Sequence, residues 1–337
     1  SSLTLSNCVS LQRLLLSNIT TLSGTLNLTA CEHLQEIYAD GTSLAQIVLP
    51  SGGGLRVVEY SRFNQYLSLS NYPLLTDDGI GIDLCKTVIS DFFIVDCALV
   101  RPMKILVDIM NAQMEQGDNH ALKRIRAVGF EESYNNSFIL DKLVDLTNGT
   151  YSGLSSEGLS GEDELPVLDG TLNINASVYG DTVEALRAMF TRLTLNINGE
   201  FYVRFADDIV TMLCAENWGD GIGTSKRQMG NITELGIIFA GTGIKSFKEL
   251  SLSKIESLTN EFTGCSQLSS IAFPETLRIL NTTAFAGSMV ALDLSDCTHI
   301  TDLLIDSDDT IDFMPSANDN LVNITYNNGS SCIHMVG

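Results

Sequence analysis

The chain has 337 residues, 44% of them hydrophobic, and carries 19 lysines and arginines against 41 aspartates and glutamates, a formal net charge of −22. That length supports a large core, in two domains or one elongated repeat array, and the apolar content excludes a disordered tail. No apolar run approaches the roughly 18 residues of a membrane helix, and the acidic balance weighs against nucleic acid, whose phosphates need a basic surface.

The first 75 residues repeat. Leu3, Leu5, Cys8, Leu11 and Leu14 fall on Leu26, Leu28, Cys31, Leu34 and Ile37, each 23 residues on. Leu49, Leu55 and Val58 continue the phrase at a slightly shorter period, as do Leu69 and Leu75. Leu-x-Leu puts two side chains on one face of a short strand, because strand side chains alternate. The cysteine and following leucine turn the chain back beneath it. One such coil cannot bury its apolar face, so coils stack and share a core. The pattern resembles the leucine-rich repeat, with helix-poor coils at the start. It is already under way at Ser1-Ser2-Leu3-Thr4-Leu5, with no Met and no signal segment. The expectation is upstream sequence, or a neighbouring subunit, covering that end.

The eight cysteines are Cys8, Cys31, Cys85, Cys97, Cys214, Cys265, Cys297 and Cys332. None forms a CxxC pair for zinc or redox work. Cys8, Cys31 and Cys297 sit in similar phrases, which predicts small buried packing residues. Sequons such as Asn18-Ile19-Thr20 and Asn27-Leu28-Thr29 are short and support no glycosylation claim.

Beyond Val100 the units grow. Pro102 to Gln116 reads as a helix on Ile105, Leu106, Ile109 and Met110, and Leu122 to Val128 as a strand. Ser137 to Leu146 reads as a helix stopped by Asn148-Gly149. Tyr151 to Asp169, rich in Gly, Ser and acids, reads as a long surface loop. Gly170 to Ile174 is the next strand. Asp181 is the expected cap of a helix carrying Val183, Leu186, Met189 and Phe190, with Glu184 completing a capping box. Leu193 to Ile197 and Phe201 to Phe205 read as strands.

From Ala206 to Asn217 a helix is expected on Ile209, Val210, Leu213 and Cys214, followed by Trp218 and a glycine-rich run, Gly219 to Gly223. A second array follows. Phe262-Thr263-Gly264-Cys265, Leu268, Ile271 and Phe273-Pro274 read F-x-G-C-S-x-L-x-x-I-x-F-P, and Phe285 lies 23 residues after Phe262. Leu292, Leu294, Cys297, Ile300 and Leu303 extend it. This phrase closely resembles the short leucine-rich repeats of the BspA type in bacterial surface proteins, over about residues 230 to 305. The stretch from Trp218 is similar to a segment that precedes such repeats and carries an acidic, calcium-loop-like run. Here Asp220 is its only carboxylate, and Lys226 and Arg227 stand where acids are needed, so no calcium is expected. The first 205 residues are similar, by order of elements, to leucine-rich structural proteins of phages and prophages of gut bacteria.

The catalytic signatures G-x-S-x-G and H-E-x-x-H and the Walker loop are missing from the sequence. Gly219-Asp220-Gly221-Ile222-Gly223 reads as a turn. His33, His120, His299 and His334 are scattered, and His33 and His299 occupy equivalent turn positions after Cys31 and Cys297. Asp306, Asp308, Asp309 and Asp312 fail the EF-type test, since the sixth and twelfth positions are Ile311 and Ala317. No catalytic, cofactor-binding, metal or ligand-binding residue is assigned.

The expectation is therefore an α/β leucine-rich solenoid over residues 1–205, with irregular β-rich coils and then strand-helix coils. A helix-led BspA-type repeat domain over 206–337 follows. It would be non-enzymatic, on a virion (tail-associated), extracellular or cell surface, and without cofactors. Its partners would be a protein or cell-surface partner, further copies or virion subunits, with no nucleic acid and no membrane span. Recognition or structure on a virion is the leading reading, a bacterial cell-surface adhesin the alternative, and a carbohydrate-active enzyme a remote one. Salt screens the acidic surface beyond about 8 Å, so a basic patch or a cation-bridged surface suits it as a partner.

Overall fold

A computed structural model describes residues 2–51, 54–116, 121–147 and 166–305, and the backbone alone of three later strands. The chain divides into two units, Ser1–Gly199 and Glu200–Gly337. Both are mixed α/β, with open, parallel sheets and few helices among the described residues.

The first unit begins with eight short strands: β1 (Arg13–Leu15), β2 (Ser23–Asn27), β3 (Glu36–Tyr38), β4 (Ser43–Val48), β5 (Val57–Glu59), β6 (Tyr66–Ser70), β7 (Ile80–Gly81) and β8 (Asp91–Val95). β1, β3, β5 and β7 form one parallel sheet. Leu14 lies opposite Ile37, Ile37 opposite Val58 and Val58 opposite Ile80. Leu14, Ile37 and Val58 share one position in the sequence phrase, and they share one register position here. All are buried, each stabilising the unit by about 1.5–3 kcal/mol. Leu26 and Leu28 are also buried, at the end of β2. Leu3, Leu5 and Leu49, expected to do the same, are only half-buried and lie outside any strand.

Helices then enter: α1 (Pro102–Glu115), β9 (Arg124–Tyr134), α2 (Phe138–Thr147), β10 (Val167–Ile174), α3 (Gly180–Met189) and β11 (Leu193–Ile197). The strands of this part pair in parallel in the order β6-β8-β9-β10-β11. Alternation buries Leu67 and Leu69, Phe92 and Ile94, Ile125 and Ala127.

Three expectations are corrected here. β9 does not stop at Val128. Its pairing with β10 jumps between Asp169 and Gly170, leaving Gly129 as an extra residue. That bulge flips the buried set to Phe130 and Glu132, which breaks the alternation in the sequence. Gly129 has φ +73°, and a Cβ there would lie 2.2 Å from Asp96 Oδ1, so the bulge requires glycine. Asp181 is not the cap of α3: the helix starts at Gly180 after an uncapped Tyr179. Asp181 sits inside the first turn, where a negative charge favours the helix dipole, and Glu184 pairs with Arg187 at 3.3 Å instead of closing a box. Val167, Leu168 and Asp169 belong to β10 rather than to a loop; the rest of that expected loop, residues 151–165, lies outside the described residues, as does Asn148-Gly149.

The second unit comprises β12 (Glu200–Phe201), α4 (Asp208–Trp218), α5 (Lys226–Met229), β13 (Ser246–Phe247), β14 (Ser257–Leu258), β15 (Ser270–Ile271), β16 (Ile279–Asn281), β17 (Leu292–Asp293), β18 (Asp302–Ile305), β19 (Asp312–Met314), β20 (Asn323–Tyr326) and β21 (His334–Met335). The strand expected over 201–205 ends at Phe201, because the chain then makes only a single antiparallel bridge, Tyr202 to Ser225. Asp207 caps α4, accepting from the Ile209 and Val210 N–H groups, and also accepts from Lys245 N–H at 2.6 Å. β13 pairs with β15, β14-β16-β18-β20 form one sheet and β17-β19-β21 another. The core holds an aromatic column. The Phe262 ring lies 5.7 Å from that of Phe239 and 5.4 Å from that of Phe285, the latter nearly parallel.

The buried cysteines pack as small apolar groups with a weak donor. Cys31 Sγ donates to Leu5 O at 3.8 Å and Cys265 Sγ to Phe239 O at 2.9 Å. Burial raises the thiol pKa of Cys31 and Cys97, and that of Cys214 and Cys297 to about 12. These are thiols and not thiolates at neutral pH. Cys8 is half-buried and Cys85 exposed, while Cys332 lies outside the described residues.

Candidate recognition face and asparagine pocket

The residues that alternate outward in the first unit form aligned rows. At the leading end of the strands an arginine meets an acid across the ladder. Arg13 pairs with Glu36 at 2.7 Å, Arg124 with Asp91, and Arg192 with Asp169 at 3.8 Å. Arg13 and Glu36 are register partners, as are Asp91 and Arg124, so each pair marks one alignment of two strands. Two of these arginines also stack. Arg13 lies 5.1 Å from the Tyr38 ring centre and Arg124 5.5 Å from that of Phe93. The arrangement is the same twice: acid, buried apolar residue, aromatic, with the neighbour's arginine across both outward groups. Exposed pairs of this kind add little stability, about 0–1 kcal/mol, but hold planar cations and rings in fixed positions on a surface.

The trailing ends of β9, β10 and β11 carry amides. Register places Ser133, Asn173 and Asn196 in one row. Asn135, Asn175 and Asn198 form the next, where Asn175 N–H still donates to Tyr134 O and Asn198 N–H to Ile174 O, each at 2.8 Å. Asn196 Nδ2 donates to Asn173 Oδ1 at 2.8 Å, and Asn173 Nδ2 donates to Glu131 Oε1 at 3.2 Å. A carboxylate only accepts, so Glu131 sets the direction of both amides. Asn196 Oδ1 is left at the end of this relay, out of water and without a donor. An unmet acceptor of this kind costs about 1–3 kcal/mol.

The serine and the five asparagines of the two rows line a pocket of about 220 Å³, together with Tyr134, Ile174 and Gly199, and none of the lining side chains carries a charge. Tyr134 is held from behind. Its hydroxyl donates to the carboxylate of Glu132, which is 2% exposed and also accepts Met103 N–H at 2.7 Å in the first turn of α1. A carboxylate there satisfies an orphan helix N–H and faces the positive end of the helix dipole. Burial nevertheless raises the Glu132 pKa to about 6, against the lowering effect of its hydrogen bonds, and the nearby Asp77 adds to the rise. Asp77 itself holds Arg101 at 2.6 Å.

A larger groove of about 480 Å³ lies between Leu84 and Cys85 and the outer side of α1. Two of its polar groups are engaged locally, Asp108 with Lys104 and Gln116 with Leu84 O.

Asp220 accepts Ile222 N–H at 3.1 Å and the Tyr202 hydroxyl at 2.8 Å, so Gly219 to Gly223 is closed as a turn. His33 and His299 are exposed in turns of different units. His120, the side chain of His334 and those of Asp306, Asp308, Asp309 and Asp312 lie outside the described residues. Among the described residues no cluster of three or more His, Cys, Asp or Glu side chains is placed to hold a metal ion. No described helix is long and apolar enough to cross a membrane.

The amide rows were not anticipated from the sequence. Their signal is the phrase Leu-Asn-Ile-Asn, present at 172–175 and again at 195–198. No family model, no curated protein and no solved structure matches the chain.

Proposed function

We propose that the chain is a leucine-rich-repeat solenoid that acts without catalysis, as a recognition or structural component of a virion, tail-associated and directed at a cell-surface partner. The observation that carries this reading is the register of the first unit. Successive parallel strands bury equivalent apolar positions and hold equivalent polar, cationic and aromatic groups outward. A rigid surface of aligned side chains suits binding, because little ordering remains to be done on contact. The tail-associated placement rests on the similarity of the first 205 residues to phage and prophage structural proteins.

The bacterial adhesin is the second reading. It is favoured by the stacked pair Phe262 and Phe285, both of them residues of the BspA-like phrase. Mass spectrometry of purified virions, set against envelope fractions of intact cells, separates the two. The chain is expected in virions; recovery from the envelope alone overturns the virion reading in favour of the adhesin.

A further inference from the structure

We infer that the asparagine pocket at the ends of β9, β10 and β11 binds one neutral, hydroxyl-rich ring, a single saccharide residue of a larger glycan. This rests on the recognition reading above and names the ligand chemistry of one subsite. The lining offers no charged side chain, so nothing in it selects a phosphate, sulfate or carboxylate group. An amide has both donors and an acceptor, as ring hydroxyls do, and although the side chains of Asn173, Asn196 and Asn198 each spend an N–H within the protein, donors and acceptors of both kinds remain in the two rows.

The placement is ordered. Neighbouring strands are about 4.8 Å apart and alternate residues along a strand about 6.6 Å, which gives two rows of amides on a grid comparable to the spread of hydroxyls around a sugar ring. The wall is fixed before a ligand arrives, by the relay from Asn196 through Asn173 to Glu131. Asn196 Oδ1, which lacks a donor at this wall, is a group that a ligand hydroxyl can satisfy after a small side-chain rotation. Behind the amide rows the inner face of the strands is closed by buried Ile174 and by Tyr134, whose hydroxyl is engaged by Glu132, so the floor of the pocket is held in place. At about 220 Å³ the pocket is smaller than the roughly 300–1,000 Å³ typical of drug-sized ligand sites, which fits one ring.

Saturation-transfer NMR on the full chain tests this, with a panel of neutral mono- and disaccharides, glucuronate and sialic acid as anionic controls, and neutral tripeptides. A neutral saccharide is expected to bind, and Asn175→Ala and Asn198→Ala are expected to weaken it about tenfold. Both side chains are exposed, but Asn198 has φ +52° and donates to Ala176 O, so Asn198→Ala costs some local stability, and circular dichroism checks that both variants are folded. No neutral saccharide bound, equal binding by both variants, or preference for the anionic sugars or the peptides overturns the inference. Binding of the same proteins to intact bacterial cells separates the two readings. Variants that bind cells like the wild type overturn the pocket and leave recognition standing. A wild-type chain that binds no cells counts against recognition, while the saccharide titration still decides the pocket.

Discussion

Asn196 donates its side-chain amide to Asn173 Oδ1 at 2.8 Å from the same register position of the adjacent strand. The two residues are 23 positions apart in the chain, the period that also separates Leu3 from Leu26 and Phe262 from Phe285. A repeat that aligns leucines inside a sheet necessarily aligns what stands outside it, because side chains alternate. The amide contact predicts energetic coupling. A double-mutant cycle of Asn173→Ala and Asn196→Ala, read by urea unfolding of the first unit, is expected to give about 0.5–1.5 kcal/mol. Strict additivity would place the contact outside the stabilising interactions.

Glu132 predicts a pH dependence with a definite sign. Its folded pKa, about 6, lies above its ordinary value of 4.5. The folded unit is therefore favoured by this group below about pH 4.5 and loses that contribution as pH rises through about 6. The difference amounts to about 2 kcal/mol. Glu132→Gln should gain stability relative to wild type by that order between pH 4.5 and 7, whatever its offset. Parallel stability curves for the two proteins across this range would contradict the assignment.

Gly129 carries the bulge that turns Phe130 and Glu132 inward. Gly129→Ala must adopt φ near +73° and displace Asp96, so a loss of about 1–3 kcal/mol is expected in urea unfolding. An unchanged midpoint would mean that the bulge is not needed.

Thiol labelling checks the packing of the cysteines. Under native conditions iodoacetamide should modify exposed Cys85 first, while Cys31, Cys97, Cys214, Cys265 and Cys297 react only after unfolding. In the second unit, Phe262→Ala should cost about 3–5 kcal/mol, since the ring is fully buried between two others.

The parts of the fold legible in the sequence are those set by apolar spacing. Leu14, Ile37 and Val58 announced their shared register, and Leu106 and Met110 announced the buried side of α1. The parts that were not legible depend on single residues or on polar contacts over long separations. Gly129 ends an alternation in sequence but only shifts it in space. Asp181 has the chemistry of a cap, yet Tyr179 and Gly180 take the first positions of α3. Glu132 reads as one more surface acid in a chain with 41 of them, and only packing under α1 buries it. The asparagine rows needed β9 beside β10, a pairing across residues 135–166 that no local pattern specifies.

The central claim is that the outward rows of the first unit contact a cell-surface partner. Binding of the purified chain to a panel of intact bacterial cells tests it most directly, comparing wild type with the double variant Arg13→Glu, Arg124→Glu. Each reversal sets an acid opposite Glu36 or the largely buried Asp91 and costs some stability, so the unfolding midpoint of the variant is measured first and binding is compared where both proteins are folded. The account predicts saturable binding by wild type and a loss of about tenfold or more in the variant. Saturable binding that is identical in both proteins, or no binding by wild type to any cell, would contradict it.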